Sequence, residues 1–203
     1  FDTTVFGSIT KTGELFCLLM PANQCNRNNT KDIYEIFTDR SGEDSLSTYR
    51  APAVTLEMNL DAGPVKLTSV TGYRKSKEGQ TEDVDGTSSD IYWVDRRQKY
   101  RQFSQEIRGA GKFTDTFDYV IGGYYFASRY NLFQTTEFFG ALLPIAQDTT
   151  GHSTSAAVFG DFNWAFADQW RLSFGGRWTH DEKELRNSFA TAGLIGSGKD
   201  SFE

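Results

Sequence analysis

The chain has 203 residues, a formal net charge of −6 and an aromatic content of 15%. The acidic balance argues against nucleic acid as a partner, because nucleic-acid binding depends on basic surfaces that neutralise phosphates. No segment approaches the roughly 18 consecutive apolar residues of a transmembrane helix. A transmembrane β-barrel is compatible with this composition, since only every second residue of its strands faces lipid.

The two ends of the chain indicate a fragment. The chain begins at Phe1, without a Met, a charged leader region or an apolar signal segment. It ends at Glu203, in a stretch that does not complete a recognisable strand. We therefore expect a piece of a longer protein, whose other parts decide much of its function.

The first long polar segment, about residues 12–48, carries both cysteines. Cys17 and Cys25 lie eight positions apart in an Asn-rich stretch, a spacing that closes a small disulfide loop in an oxidising compartment. Two unpaired thiols and half of a metal site are the alternatives. Zinc is disfavoured because the chain has no CxxC motif and neither His152 nor His180 is near in sequence. We predict a disulfide and no metal site here.

Three β-hairpins are predicted after this segment. Each shows apolar and polar residues in alternation, which is the pattern of a two-sided strand. Turns inside the hairpins are short and the connections between them are long, as in membrane barrels with short periplasmic turns and longer extracellular loops. The facing of the strand at 65–77 stays open, because Val65 and Val70 fall on opposite sides. The predicted hairpins span about 49–77, 99–134 and 155–185, and the long connections span about 12–48, 78–98, 135–154 and 186–203.

The last hairpin shows the two sides of the predicted sheet most clearly. Aromatic rings at one level beside an apolar band are typical of a strand at the lipid–water boundary. The residues predicted to face lipid or to form its girdle are Trp164, Phe166, Trp170, Leu172, Phe174 and Trp178. Charged residues that alternate with apolar ones are predicted to face a polar lumen, in a structural role. They are Glu106, Arg108, Asp161, Arg171 and Arg177.

A repeat of 53 residues links the second hairpin to the third. A period near 50 residues also occurs in kelch-type propellers. Propeller blades have four strands each, whereas each period here holds two long strands, so successive hairpins of one barrel wall are favoured. The matching positions are Phe113, Asp115, Phe117, Gly122, Gly123 and Tyr125 against Phe166, Asp168, Trp170, Gly175, Gly176 and Trp178.

The order of the strand motifs is more distinctive than any one of them. FSQEIRGAGKFTDTFDYVIGGYYF spans residues 103–126, AAVFGDFNWAFADQWRLSFGGRWTHDEKE spans 156–184, and LTSVTGYR spans 67–74. Together they resemble the β-barrel of TonB-dependent outer-membrane receptors. The resemblance implies an all-β fold, an antiparallel meander of long strands that forms about a third of a transmembrane barrel of about 22 strands. In isolation such a piece is a curved open sheet with two unpaired edges.

The resemblance also implies a function and its partners. The implied activity is import of a scarce nutrient across the bacterial outer membrane, most often a ferric siderophore or a similar metal chelate. Membrane lipid, lipopolysaccharide and the inner-membrane TonB complex are the implied partners, the last acting through an N-terminal plug domain expected upstream of Phe1. A passive porin or small structural barrel without energy coupling is the alternative, and a soluble β-propeller is a third class. No enzyme activity or cofactor is expected, since no GxSxG motif and no nucleophile–base pair occurs.

Tyr92, Trp93, Arg96 and Arg97 are the candidate ligand-binding residues. An aromatic–Arg cluster at a loop rim can stack on an anionic metal chelate or pair with it. An interfacial girdle with contacts to lipopolysaccharide is the simpler interpretation of the same residues. Both interpretations place this cluster at the membrane surface.

Two further loop features are open to a functional interpretation. The acidic stretch 82–90 contains Asp83, Asp85 and Asp90 but lacks the full EF-hand pattern, so a solvated loop is favoured over a calcium site. An apolar patch at Phe138 to Leu143 is expected at a loop tip, where it touches a ligand or packs the loop down.

The facing assignment predicts different effects for two neighbouring substitutions. Phe174→Asp places a charge in lipid, whereas Ser173→Asp places it in a hydrated lumen. A charge at mid-bilayer costs about 2–4 kcal/mol for Lys or Arg and less for Asp. Phe174→Asp should therefore reduce the amount of folded receptor in outer membranes far more than Ser173→Asp, and equal assembly of the two variants would contradict the assignment.

Overall fold

The computed structural model describes residues 46–84, 91–140, 142–190 and 195–202, the last range by its backbone alone. Cys17, Cys25, Asp85 and Asp90 lie outside the described residues, so the disulfide and the calcium loop stay predictions. The described chain consists of β1 (Leu46–Arg50), β2 (Ala53–Asp61), β3 (Val65–Asp83), β4 (Tyr92–Thr114), β5 (Phe117–Phe138), β6 (Leu143–Ala167), β7 (Trp170–Phe189) and β8 (Ile195–Phe202).

The strands form one antiparallel sheet in which each strand from β3 to β8 pairs with the next along the chain. β1 and β2 both pair with β3, at its two halves. Between β1 and β2, Pro52 interrupts the pairing with β3, because proline has no N–H to donate to the backbone ladder. The Pro52 carbonyl still accepts a hydrogen bond from the Lys75 N–H at 3.0 Å. β1 and β2 therefore occupy one strand position, and the sheet is an open meander of seven positions. This confirms the all-β antiparallel fold expected from the sequence.

Within the described ranges, no helix has the length and apolar character needed to cross a membrane.

The described strands have no packed core between them of the kind a soluble sandwich has. Large apolar side chains stay exposed along the strands, among them Leu56 at 52%, Ile107 at 56% and Trp178 at 56%. Apolar surface of this extent on a folded sheet marks a face that contacts another apolar phase. The buried apolar residues of the described chain are few, and Ile91, Trp93 and Val94 lie together at one end of the sheet.

Short turns join β2 to β3, β4 to β5 and β6 to β7, one inside each predicted hairpin. Gly63 has a positive φ of 78° and donates its N–H to the Asp61 carboxylate at 3.1 Å, which closes the turn between β2 and β3. The other two short turns are flanked by register shifts, at Lys112/Thr114 and at Ala165/Ala167. These bulges bend the strands where the pairing ends.

The strands continue well beyond the predicted hairpins, so the predicted connections are wrong over much of their length. Residues 78–83 of β3 pair with 93–98 of β4, and residues 143–154 of β6 pair with 127–138 of β5. The predicted fourth connection contains the end of β7 and all of β8. The reason is physical: much of each segment is polar on both faces, and a backbone ladder does not require an apolar side. The apolar patch at Phe138 to Leu143 lies at a tight turn, where Phe139 and Gly140 have positive φ values of 56° and 69°.

Two glycines on the strands are covered by aromatic rings of the neighbouring strand. The ring of Tyr130 lies directly over Gly151, its register partner, and the ring of Phe159 lies over Gly122 in the same way. A Cβ at either glycine would collide with the ring. Aromatic rings that cover strand glycines restore packing which glycine cannot provide.

We expect Gly151→Val to weaken the folded barrel. The new side chain must displace the Tyr130 ring, and such overpacking typically costs about 1–3 kcal/mol. The measurement is the temperature at which the full-length receptor loses its compact, folded band on an SDS gel. Gly176→Val is the matched control, because a Cβ at Gly176 meets nothing within 4 Å. Combining Gly151→Val with Tyr130→Ser should restore the unfolding temperature, because the smaller side chain leaves room for valine. An equal drop in unfolding temperature for Gly151→Val and Gly176→Val would contradict the packing argument.

Candidate functional site

The strand register divides the side chains of the sheet into two chemically different faces. Residues opposite each other in neighbouring strands share a face, so Phe174, Phe162 and Tyr119 lie on one side. We call this the apolar face and the opposite side the polar face. The five charged residues singled out in the sequence all occupy register positions on the polar face. These are Glu106, Arg108, Asp161, Arg171 and Arg177.

The register also settles the ambiguous strand at 65–77. Val65, Leu67 and Tyr73 lie on the apolar face, whereas Val70 lies on the polar face opposite Glu106. Ser69 and Thr71 lie on the apolar face too, and both bond to Gln105, at 2.9 and 2.6 Å. These three polar side chains satisfy one another, which reduces the cost of holding them beside apolar neighbours.

A row of aromatic rings crosses the apolar face beside the short turns. Phe113 stacks on Tyr119 at 4.3 Å between centroids, and Phe162 stacks on Phe174 at 5.2 Å. On the last hairpin, the Phe166 ring lies 5.4 Å from Trp164 and 6.4 Å from Trp170. A second set of aromatic residues lies further along the strands, and between the two sets the face carries mainly aliphatic side chains and glycine. The members of the second set are Tyr73, Phe103, Tyr125 and Trp178.

The polar face near the short turns carries an ion pair and an amide network. Arg108 donates to the Glu106 carboxylate at 3.2 Å. Asn163 donates to Asp118 at 3.1 Å and accepts a hydrogen bond from the Ser173 hydroxyl at 2.6 Å. The two Asn163 contacts join side chains of neighbouring strands, whereas Arg108 and Glu106 belong to the same strand.

Arg177 occupies an aromatic setting that the sequence analysis missed. Its guanidinium lies 5.5 Å from the ring centroid of Tyr124 and 5.8 Å from that of Phe159, which is the geometry of a cation–π contact. Tyr124 and Phe159 belong to the polar face. The available signal for Phe159 was its position, because it occupies an odd position on β6 whereas Trp164 and Phe166, predicted to face lipid, occupy even ones.

At the end of the sheet far from the short turns, the polar face carries amides and hydroxyls. Arg96 donates two hydrogen bonds to the side-chain amide oxygen Oε1 of Gln134, from Nε at 3.0 Å and from a terminal nitrogen at 2.9 Å. Thr149 is only 6% exposed; it accepts from Gln147 at 3.1 Å and donates to Asn187 at 2.9 Å. The sequence analysis placed most of these residues in loops, so it did not find this polar ladder. The ladder can donate and accept hydrogen bonds to a hydrated ligand.

The structure does not bring the four candidate ligand residues onto one face. Tyr92 and Arg96 lie on the polar face, where Tyr92 stacks on Phe138 at 4.8 Å. Trp93 and Arg97 lie on the opposite face, where Trp93 is 4% exposed and Arg97 pairs with Asp95 at 3.1 Å. A ligand at the polar face meets only the first pair. Strict alternation along β4 causes this division, because the four residues occupy both odd and even positions.

Of Asp83, Asp85 and Asp90, Asp83 alone lies within the described ranges, and it is 1% exposed at the end of β3. Among the residues that the structure describes, no three His, Cys, Asp or Glu side chains come together in a way that would hold a metal ion.

Residues 4–202 match the family model of the TonB-dependent receptor-like β-barrel. The chain belongs to this family. The described strands are therefore a section of the wall of a bacterial outer-membrane β-barrel. Among curated proteins, no match to the sequence was found.

Solved structures of receptors have the same fold over most of this chain. The ferric yersiniabactin uptake receptor FyuA of Yersinia pestis is 19% identical with a TM-score of 0.67, and the match covers 79% of this chain and 25% of FyuA. The ferric citrate transporter FecA is 12% identical with a TM-score of 0.58, over 78% and 24%. The siderophore receptor PiuA of Acinetobacter baumannii is 14% identical with a TM-score of 0.59, over 77% and 29%. The chain thus spans about a quarter of the length of these proteins.

The buried hydroxyl of Thr149 should hold the polar ladder together. Thr149→Val keeps the side-chain shape but leaves Gln147 and Asn187 without their partner, at an expected cost of about 1–3 kcal/mol. We expect faster hydrogen exchange in the far ends of β6 and β7 of the full-length receptor. Thr149→Ser keeps the hydroxyl and should exchange like the unmodified protein, and equally fast exchange in both variants would contradict the role of the hydroxyl.

Proposed function

We propose that the apolar face of the sheet contacts lipid and that the polar face lines the barrel lumen. The dimensions support this orientation. From Trp170 to Trp178 the strand rises by about 26 Å, at roughly 3.3 Å per residue. At the tilt of about 40° that barrel strands have, this is roughly 20 Å along the membrane normal, which is most of the apolar band of about 25 Å that aromatic girdles bound in outer-membrane barrels.

The strands are much longer than a membrane crossing requires. A transmembrane strand needs about 9–11 residues, whereas β3 to β7 have 19, 23, 22, 25 and 20 residues. About half of each strand therefore extends past the membrane at the end far from the short turns, which we assign to the cell exterior. The polar ladder around Arg96 and Thr149 lies on this extension.

The complete protein then acts as an outer-membrane receptor that captures a scarce nutrient from outside the cell. The observation that carries this proposal is the polar ladder, which faces the lumen above the membrane in a chain of the TonB-dependent receptor family. The substrate class is a ferric siderophore or a similar metal chelate. This proposal is supported by the roles of the structurally similar proteins, which include ferric yersiniabactin uptake, ferric citrate transport and siderophore reception.

Uptake is energised by the inner-membrane TonB complex through a plug domain in the rest of the protein. The chemistry assigned to this chain is recognition without bond making or breaking, so the proposed protein is a transporter and not an enzyme. Among the candidate ligand residues, the polar-face pair Tyr92 and Arg96 contacts an anionic chelate. Stacking by Tyr92 and donation by Arg96 suit the delocalised rings and oxyanions of such ligands.

Two adjacent arginines provide the test of this function. Arg96→Gln should weaken binding of the transported ferric chelate by about tenfold, the expected loss for one charge-assisted hydrogen bond. Arg97→Gln removes the same charge from the opposite face and should leave binding unchanged. Uptake and Kd are measured for a panel of labelled ferric chelates, in cells whose only receptor is the full-length protein.

Cells without TonB are the control for energy coupling. They should retain binding but lose uptake, whereas a passive porin would continue to admit the chelate. Uptake that persists without TonB would overturn the transport proposal. Equal effects of Arg96→Gln and Arg97→Gln would overturn the assignment of the ligand to the polar face.

A further inference from the structure

Six cationic side chains occupy the apolar face just beyond Tyr73 and Phe103, on the side away from the short turns. They come from four strands, β1, β3, β4 and β5. We call them the basic patch: Arg50, Lys75, Lys77, Lys99, Arg101 and Arg129. The chain carries a net charge of −6, so this concentration of positive charge does not reflect its overall composition.

The register sets these charges directly against one another. Lys75 is opposite Arg101, which is in turn opposite Arg129. One step further along the same face, Lys77 lies between Arg50 and Lys99. Like charges at directly opposed positions destabilise a sheet. Two such rows in succession indicate a surface whose stability depends on an anion.

The described part of the chain does not supply that anion. No carboxylate there forms an ion pair with any of the six side chains. Glu78 is close in sequence, but alternation places it on the polar face, where its register partners are Tyr49 and Gln98. The Arg129 Nε is buried and has no hydrogen-bond partner among the described residues. The patch therefore offers an unused donor as well as charge.

The shape of the patch suits a bulky anionic group. Lys75, Lys77, Lys99, Arg101 and Arg129 line a depression of about 390 Å³. The apolar face continues from the patch toward the short turns, through Tyr73 and Phe103 and then through Ile107 and Leu67. An occupant with phosphate at one end and hydrocarbon at the other fits both regions at once.

We propose that the basic patch binds the phosphate groups of a lipopolysaccharide molecule, whose acyl chains lie along the apolar face below. The inference rests on the proposed orientation, in which this face contacts lipid and the patch lies at the outer surface of the membrane. Lipopolysaccharide combines the required features, because its lipid A part carries phosphates on a sugar core together with several acyl chains. The bound phosphates neutralise the opposed charges and bridge four strands.

The test uses the purified full-length receptor in detergent, with bisphosphorylated lipid A as the probe. Lipid A should raise the unfolding temperature of the receptor. Lys99→Gln combined with Arg101→Gln should weaken the apparent affinity for lipid A by about tenfold or more, since two charge-assisted contacts are lost. Without lipid, this double variant should be at least as heat-stable as the unmodified receptor, because the opposed charges are relieved. Lys66→Gln combined with Lys112→Gln removes equal charge from the polar face and should respond normally to lipid A.

Three results would overturn the inference. They are an unchanged lipid A response in the Lys99/Arg101 variant, equal protection by neutral phosphatidylethanolamine, and full protection by inorganic phosphate alone. The last result would assign the patch to free phosphate instead of a lipid. Chelate uptake separates this inference from the proposed function. If the patch lined the lumen, the Lys99/Arg101 variant would lose uptake without losing its lipid A response.

Discussion

The backbone ladder between the long strands is the constraint on which the rest of this sheet depends. In hydrocarbon every N–H and C=O must be paired within the protein. The pairing from β3 to β7 meets that demand with register shifts only beside the short turns. Pro52, the other interruption, lies beyond Tyr73 at the level of Lys75. The irregular positions thus flank the apolar band without entering it.

The register of the backbone hydrogen bonds also decides which side chains lie on each face. A shift of one residue would exchange the two faces of a strand, and would place Arg108 among aliphatic residues and Ile107 among charges. Aromatic residues occur on both faces and have different roles there. On the apolar face they form rows at the limits of the band, whereas on the polar face Tyr124 and Phe159 stack on Arg177 and Tyr130 covers Gly151.

Sequence reasoning predicted the part of the fold in which side-chain chemistry alternates. The short turns, the apolar face of the last hairpin and the class of fold follow from Gly63, from residues such as Phe174 and Trp178, and from the strand motifs. The far ends of the strands could not be predicted in this way. Arg96, Gln134 and Thr149 are polar residues among polar neighbours, so hydropathy does not distinguish a solvated strand from a loop. Their pairing depends on partners about 38 residues away, and only the register established lower in the sheet brings them together.

The long extension of the strands has a thermodynamic consequence for recognition. A ligand that is captured by disordered loops must supply the free energy to order them, and each immobilised side chain reduces the affinity. Here Arg96, Gln134, Gln147, Thr149 and Asn187 are already held by hydrogen bonds to one another. That ordering occurs once, when the barrel folds. Under the proposed function, a surface ordered in this way favours ligands that match its shape, so discrimination between similar chelates depends on the spacing of neighbouring strands.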